Sequence, residues 1–215
     1  MTTLVAYSES DDGHITSIDT VYNTAWTGAS PATFNAVNSA FISVGHQYIG
    51  ADYSLFQGFI SFDTSSIGTD QIDSIQLEID VNSAPAFFGD IATIYSYTWT
   101  SPLTTSDWVD FSTASPTRVA TSTYLALTPG YVTFTNASFA NFKAAINKTG
   151  TTYLLMASNN IETGIAAPNG PTWAESWNHD QGDGGAVGLG PRLTITHSVP
   201  ATPDPFPGLF LGTNF

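Results

Sequence analysis

Four histidines, His14, His46, His179 and His197, and four glutamates, Glu9, Glu78, Glu162 and Glu175, are the side chains best suited to proton transfer. A serine nucleophile needs His and Asp beside it in space, but the chain has neither a Gly-x-Ser-x-Gly elbow nor a His-Glu-x-x-His pair. Surface or hydrogen-bonded roles are therefore expected for the histidines. Paired carboxylates run glycoside hydrolysis when held about 5 to 10 Å apart. Glu78 falls in the polar phase of an alternating run and is expected to face solvent. Glu175, between Trp173 and Trp177, is the one carboxylate with the character of a sugar site, since indole faces stack on sugar rings. The competing and commoner account is that these tryptophans fill the sandwich core or pin down a long loop.

Calcium takes six to eight hard oxygen ligands, and Asp11 with Asp12, or Asp180 with Asp183, could contribute to such a site. Neither pair has the spacing of a calcium loop, and turn aspartates are the competing account. No other cofactor is expected. The glycines of 182–190 lack the Gly-Lys-Ser/Thr of a phosphate loop and read as a flexible connection. The residues after Ser198 carry Pro200, Pro203, Pro205 and Pro207, then Phe206, Leu209, Phe210, Leu211 and Phe215. That proline spacing excludes a helix or a central strand. Large apolar groups on extended chain either pack back on their own domain or lie on a partner. The sequence predicts an arm that docks on a partner, because pre-extended chain loses less entropy on docking.

The elements that position these residues read as strands. Ile75, Leu77, Ile79 and Val81 alternate with Gln76, Glu78, Asp80 and Asn82, the period of a half-buried strand. Gly58 to Phe62 forms a second strand, closed by the turn-rich run Asp63 to Gly68. Others are expected at 4–7, 41–45, 91–99, 131–135, 152–157 and 192–197. The run 91–99 is apolar on both phases and is expected to be covered on both faces, and Tyr153 to Met156 reads as a central strand. One short helix is expected, capped by Ser138, with Phe139, Phe142 and Ile146 on a shared face. Residues 28–39 and 166–190 read as loops. The expected fold is all-β, an antiparallel β-sandwich or barrel over residues 1–198 followed by an extended arm over 199–215.

Eighteen acids against four basic residues give a formal net charge of −14. Arg118, Lys143, Lys148 and Arg192 are scattered, which argues against nucleic acid and anionic membrane as partners. Without cysteine there is neither a disulfide nor a thiolate site. Residues 1–5 lack a basic n-region and an apolar h-region, so no classical secretion is expected.

Gln57 to Ile67, followed by Ile72 to Leu77, resembles the DNRLRE-type jelly-roll modules of bacterial surface proteins and, more closely, related domains of phage virion proteins. Asp11 to Ile15, Ile42 to Gly45, 151–160 and 191–196 fall where such modules have their early turn and closing strands. The resemblance implies a jelly roll and supplies no catalytic set. Together with the arm it implies a non-enzymatic virion protein, such as a capsid decoration or tail-associated subunit. Its partners would be other virion or surface-assembly proteins, further copies of itself, or glycans. The alternative is a carbohydrate-binding module or adhesin, extracellular or at a cell surface.

Overall fold

A computed structural model describes residues 1–29, 34–35, 41–83, 91–122, 130–166, 170–177 and 190–201, of which 34–35, 41, 82–83 and 170–177 are described by their backbone. The strands are β1 (Thr2–Tyr7), β2 (Gly13–Asp19), β3 (Phe34–Asn35), β4 (Phe41–Ile49), β5 (Asp52–Asp63), β6 (Gln71–Ser83), β7 (Ala92–Ser96), β8 (Thr117–Thr121), β9 (Gly130–Asn136), β10 (Thr151–Ser158), β11 (Gly170–Trp177) and β12 (Arg192–Ser198). Three short helices interrupt them: α1 (Tyr22–Thr27), α2 (Phe139–Ala145) and α3 (Asn159–Thr163). The molecule is an all-β, jelly-roll-like antiparallel sandwich, as its alternating runs require.

The strand order is β1-β12-β6-β11-β4-β5-β10-β7-β8-β9, and β9 returns to pair with β6, so the sheet curls over on itself. β6 makes the fold-over possible because it is long enough to change neighbours. Gln71 to Glu78 pair with β12, Leu77 to Val81 with β9, and Val81 and Ser83 with β11. β5 does the same opposite, with β2 along 53–59 on one edge and β4 then β10 on the other. Strands that change partners form the corners of a sandwich.

Ile75, Leu77, Ile79 and Val81 all point into the interior, as their alternation predicts. The polar phase behaves differently from expectation. Glu78 is paired with Arg192, and Asp80 is only 7 % exposed, with its carboxyl pushed up by burial. The run predicted to be covered on both faces is so covered: in β7, Ile94 joins the inner core and Tyr95 an outer cluster. β10 is central, between β5 and β7.

In α2 the Ser138 hydroxyl accepts the Asn141 amide, the cap the sequence predicts. Phe142 and Ile146 are buried, whereas Phe139 in the first turn stays 40 % exposed. α1 and α3 are additional to the single helix expected. Gly28 and Gly164 end them in the left-handed conformation, at φ 69° in each case. β2 and β8 lie where no strand was expected. β3 and β11 fall within stretches that read as loops, and Pro171 stands at the start of β11, where a strand tolerates it.

Candidate functional site

Asp11 and Asp12 lie on the turn between β1, which pairs with β12, and β2, which pairs with β5. Asp12 is fully buried, and its Oδ1 accepts both the backbone amide of Ser61, at 2.7 Å, and the Ser61 hydroxyl, at 2.9 Å. Burial pushes its carboxyl well above the usual range, against the pull of those hydrogen bonds. Asp11 accepts the Ser61 hydroxyl at 3.0 Å through one oxygen and the Ser101 hydroxyl through the other. The two aspartates therefore bind the turn to β5 and to the 97–115 segment. A carboxyl that favours its neutral form is a poor calcium ligand. Among the described residues no three His, Asp or Glu side chains are grouped to hold a metal. Asp180 and Asp183 lie outside the described residues.

Above this turn is a recess of about 460 Å³, lined by Glu9, Asp11, Asp63, Ser101, Thr151 and Tyr153. Glu9 accepts the Asp63 amide at 3.2 Å, and Asp63 in turn accepts from the Ser65 side chain and amide, bonds that lower its carboxyl below the ordinary range. Three carboxylates and a phenol ring make this recess polar and acidic.

Trp173, Glu175 and Trp177 lie on β11, between β4 and β6. They pair with Gly45, Ser43 and Phe41, whereas Ala174 and Ser176 pair with Val44 and Ile42, which belong to the inner core. The backbone thus puts the Trp-Glu-Trp triplet in the phase opposite the core.

His14, His46 and His197 are all buried. His197 shares a hydrogen bond of 2.8 Å with Asp70, and burial pulls the His46 imidazole down to about 4. His179 lies outside the described residues. The described glutamates are engaged as well. Arg192 donates from Nε and Nη2 to Glu78, at 2.7 and 3.0 Å, and lies 4.0 Å from the centre of the Tyr131 ring. Arg118 donates to Glu162.

The sequence did not point to a second recess, of about 310 Å³, walled by Tyr95, Phe111, Ser115, Arg118, Glu162 and Thr163. Burial, then Glu162, push the Tyr95 phenol upward. Nor did it point to the aromatic layer over β5, β7 and β10. There Trp99 meets Phe59 and Tyr153 edge-on, at 6.1 and 4.9 Å between ring centres, and Tyr22 stacks on Trp26. The density of aromatics in 95–111 was its one visible mark.

At the other end of the strand order β1 pairs, among the described strands, with β12 alone. The Ser8 amide donates to Pro191 at 2.9 Å. By antiparallel alternation, Thr2, Leu4 and Ala6 therefore direct their backbone groups at β12, and Thr3 and Val5 direct theirs outward. Val5 is 48 % exposed. β12 ends beside Thr2, and Val199, the next residue after it, is 79 % exposed. Phe206, Leu209, Phe210, Leu211 and Phe215 lie outside the described residues. No helix among the described residues is long and apolar enough to cross a membrane.

No protein-family model matches the chain, and no curated protein is similar to it.

Proposed function

We propose that this chain is a non-enzymatic structural virion protein, a capsid decoration or tail-associated subunit, whose sandwich body docks on partner subunits through the segment after Ser198. The carrying observation is the exit of that segment: it leaves β12 at the sheet margin, and Val199 to Ala201 are exposed. The apolar groups that follow, from Phe206 to Phe215, gain roughly 1.5–3 kcal/mol each when buried on a partner. The virion context rests on the resemblance to phage jelly-roll domains. A chain ending at Ser198 should keep the melting temperature of the full chain and be missing from purified particles of the virus that encodes it. Normal incorporation of that truncated chain would refute the proposal.

A second reading, a carbohydrate-binding module, is favoured by the register that sets Trp173, Glu175 and Trp177 opposite the core phase. It predicts that Trp173→Ala and Trp177→Ala lose glycan-array binding with thermal stability unchanged. Binding that survives both substitutions would end it.

A further inference from the structure

We propose that the outer edge of β1 is an acceptor for residues 203–208 of a second copy, which add to it as one antiparallel strand and, through their proline spacing, stop the sheet there. This rests on the reading that the segment after Ser198 docks, and it names what that segment docks on.

The proline spacing carries the first half of the argument. In an extended chain successive residues direct their N–H and C=O groups to opposite edges. Pro203, Pro205 and Pro207 all fall on one edge, which is left without a single donor over that span. Asp204, Phe206 and Gly208 fall on the other and keep theirs. Such a segment pairs along one edge only. Proline in a sheet is confined to this situation, with its ring turned away from the neighbouring strand. A strand of this kind extends a sheet by one member and presents a proline edge that blocks the next, the same device by which exposed sheet edges avoid open-ended pairing.

The acceptor is the second half. Among the strands described, β1 has a single neighbour, and Thr3 and Val5 direct their backbone groups away from it. From Ser8 onward that edge is taken by β5, through the bridge from Ser8 to Phe62. The open stretch is therefore short, which suits a short segment. Placing Phe206 across from Thr3 sets Asp204 across from Val5 and Gly208 across from Met1, clear of the bridge at Ser8, and the half-exposed Val5 side chain gains Phe206 as a diagonal cross-strand neighbour. The chain's own segment cannot reach this register. It leaves β12 beside Thr2, and the five steps from Ser198 to Pro203 span at most about 18 Å. An antiparallel start beside Ala6 lies about 17 Å along the strand and about 10 Å across β1, roughly 20 Å away in all, so only a parallel addition is open to it. A second copy has no such restriction.

Sedimentation velocity over a concentration series tests the proposal on the full chain. The wild type should self-associate reversibly. Phe206→Pro with Gly208→Pro removes two ladder donors from a segment outside the body and should weaken association roughly 30-fold. Phe206→Ala, which keeps the amide, should weaken it less. On the acceptor, Thr3→Pro should have an effect of the same kind, with the melting temperature showing that the body is folded. Replacing Pro203, Pro205 and Pro207 together by Ala restores the missing donors and should yield assemblies larger than those of the wild type. A wild-type chain that stays monomeric throughout overturns the proposal. So does wild-type association by the Phe206→Pro/Gly208→Pro variant, or an unchanged assembly size in the triple Ala variant. Deleting 202–215 separates the two readings. If deletion abolishes association or particle incorporation while the proline variants leave them intact, docking stands and strand addition fails. If deletion changes neither, docking itself fails.

Discussion

The two sides of the β5–β10–β7 part of the sheet bury comparable side chains in different ways. On the inner side Ile60, Phe62, Ile94, Leu154 and Met156 meet the opposite wall of the sandwich, sheet against sheet, in a largely aliphatic cluster. On the outer side Leu55, Phe59, Tyr95, Leu155 and Ala157 are covered by Trp99, Leu103, Val109 and the helices α1 and α3. A sheet satisfies its own backbone through its ladders. A loop does not, and each peptide group it buries needs a named partner. The outer cover accordingly carries polar anchors within its loops. Asp107 accepts the amides of Thr100 and Thr104, the Trp26 indole donates to the Ile161 carbonyl, and the Gln57 side chain holds both backbone groups of Val109. An aliphatic sandwich core thus depends on shape, and a loop-built cover depends on specific hydrogen bonds.

The largest expected effect comes from removing shape on the inner side. Phe62→Ala leaves a cavity between two walls of the curled sheet that have little freedom to close, and the loss should be about 4 kcal/mol. Phe59→Ala, equally buried but beneath the loop cover, should cost about 3 kcal/mol because the cover can settle into the space. Urea unfolding of the two variants measures the difference, and equal losses would mean that the cover is as stiff as the opposing sheet.

Acid should act on the outer side next. His46 is fully buried and pairs across the ladder with Leu55, a member of the outer cluster. Burial holds its folded pKa at about 4, below the ordinary value of about 6.5. Between those values the unfolded chain binds the proton and the folded chain does not. The stability contributed by the neutral imidazole is therefore complete above about pH 6.5 and is lost as the pH falls to about 4, by about 3 kcal/mol in all. Asp12 works in the opposite sense, since its raised folded pKa makes it stabilising when protonated. His46→Phe should flatten the pH dependence between about 6.5 and 4 in calorimetric melts, and an unaltered slope would exclude His46 as its source.

What the sequence made legible follows the same division. β6 and β12 could be read because one face is buried and the other is not, so period two survives in the residues themselves. The first half of β5 was missed because Tyr53, Leu55 and Gln57 are apolar or buried for reasons that belong to the outer cover. β2 alternates weakly, with Thr16 and Ser17 both buried, and β11 hides its alternation of Trp173, Glu175 and Trp177 between prolines and glycines. The anchors were illegible for a different reason. Ser61 lies 49 residues from Asp12, and Arg118 lies 44 from Glu162, so nothing local joins them. Asp11 and Asp12 could be picked out as unusual, but their buried role on Ser61 could not. Glu78 looked solvated because strand phase says nothing of an arginine on the next strand.

The smallest and most local effect should come from Gln57. It is fully buried, its Nε2 donates to the Val109 carbonyl at 2.8 Å, and its Oε1 accepts the Val109 amide at 2.9 Å. Gln57→Leu keeps the volume and removes both bonds, leaving a buried amide and carbonyl without partners. Each such group costs about 1–3 kcal/mol when nothing replaces the bond. The 97–115 segment is a loop, however, and it can lift until water reaches Val109, which caps the loss at about 2 kcal/mol. That relaxation distinguishes the two sides of the sheet. Hydrogen exchange in Gln57→Leu should quicken over 97–115 and remain slow in β5, β7 and β10, whose ladders do not pass through Gln57's side chain. If protection fell equally in the strands, the outer cover would be part of one cooperative core with the inner side, and the division drawn between them would be one of composition alone.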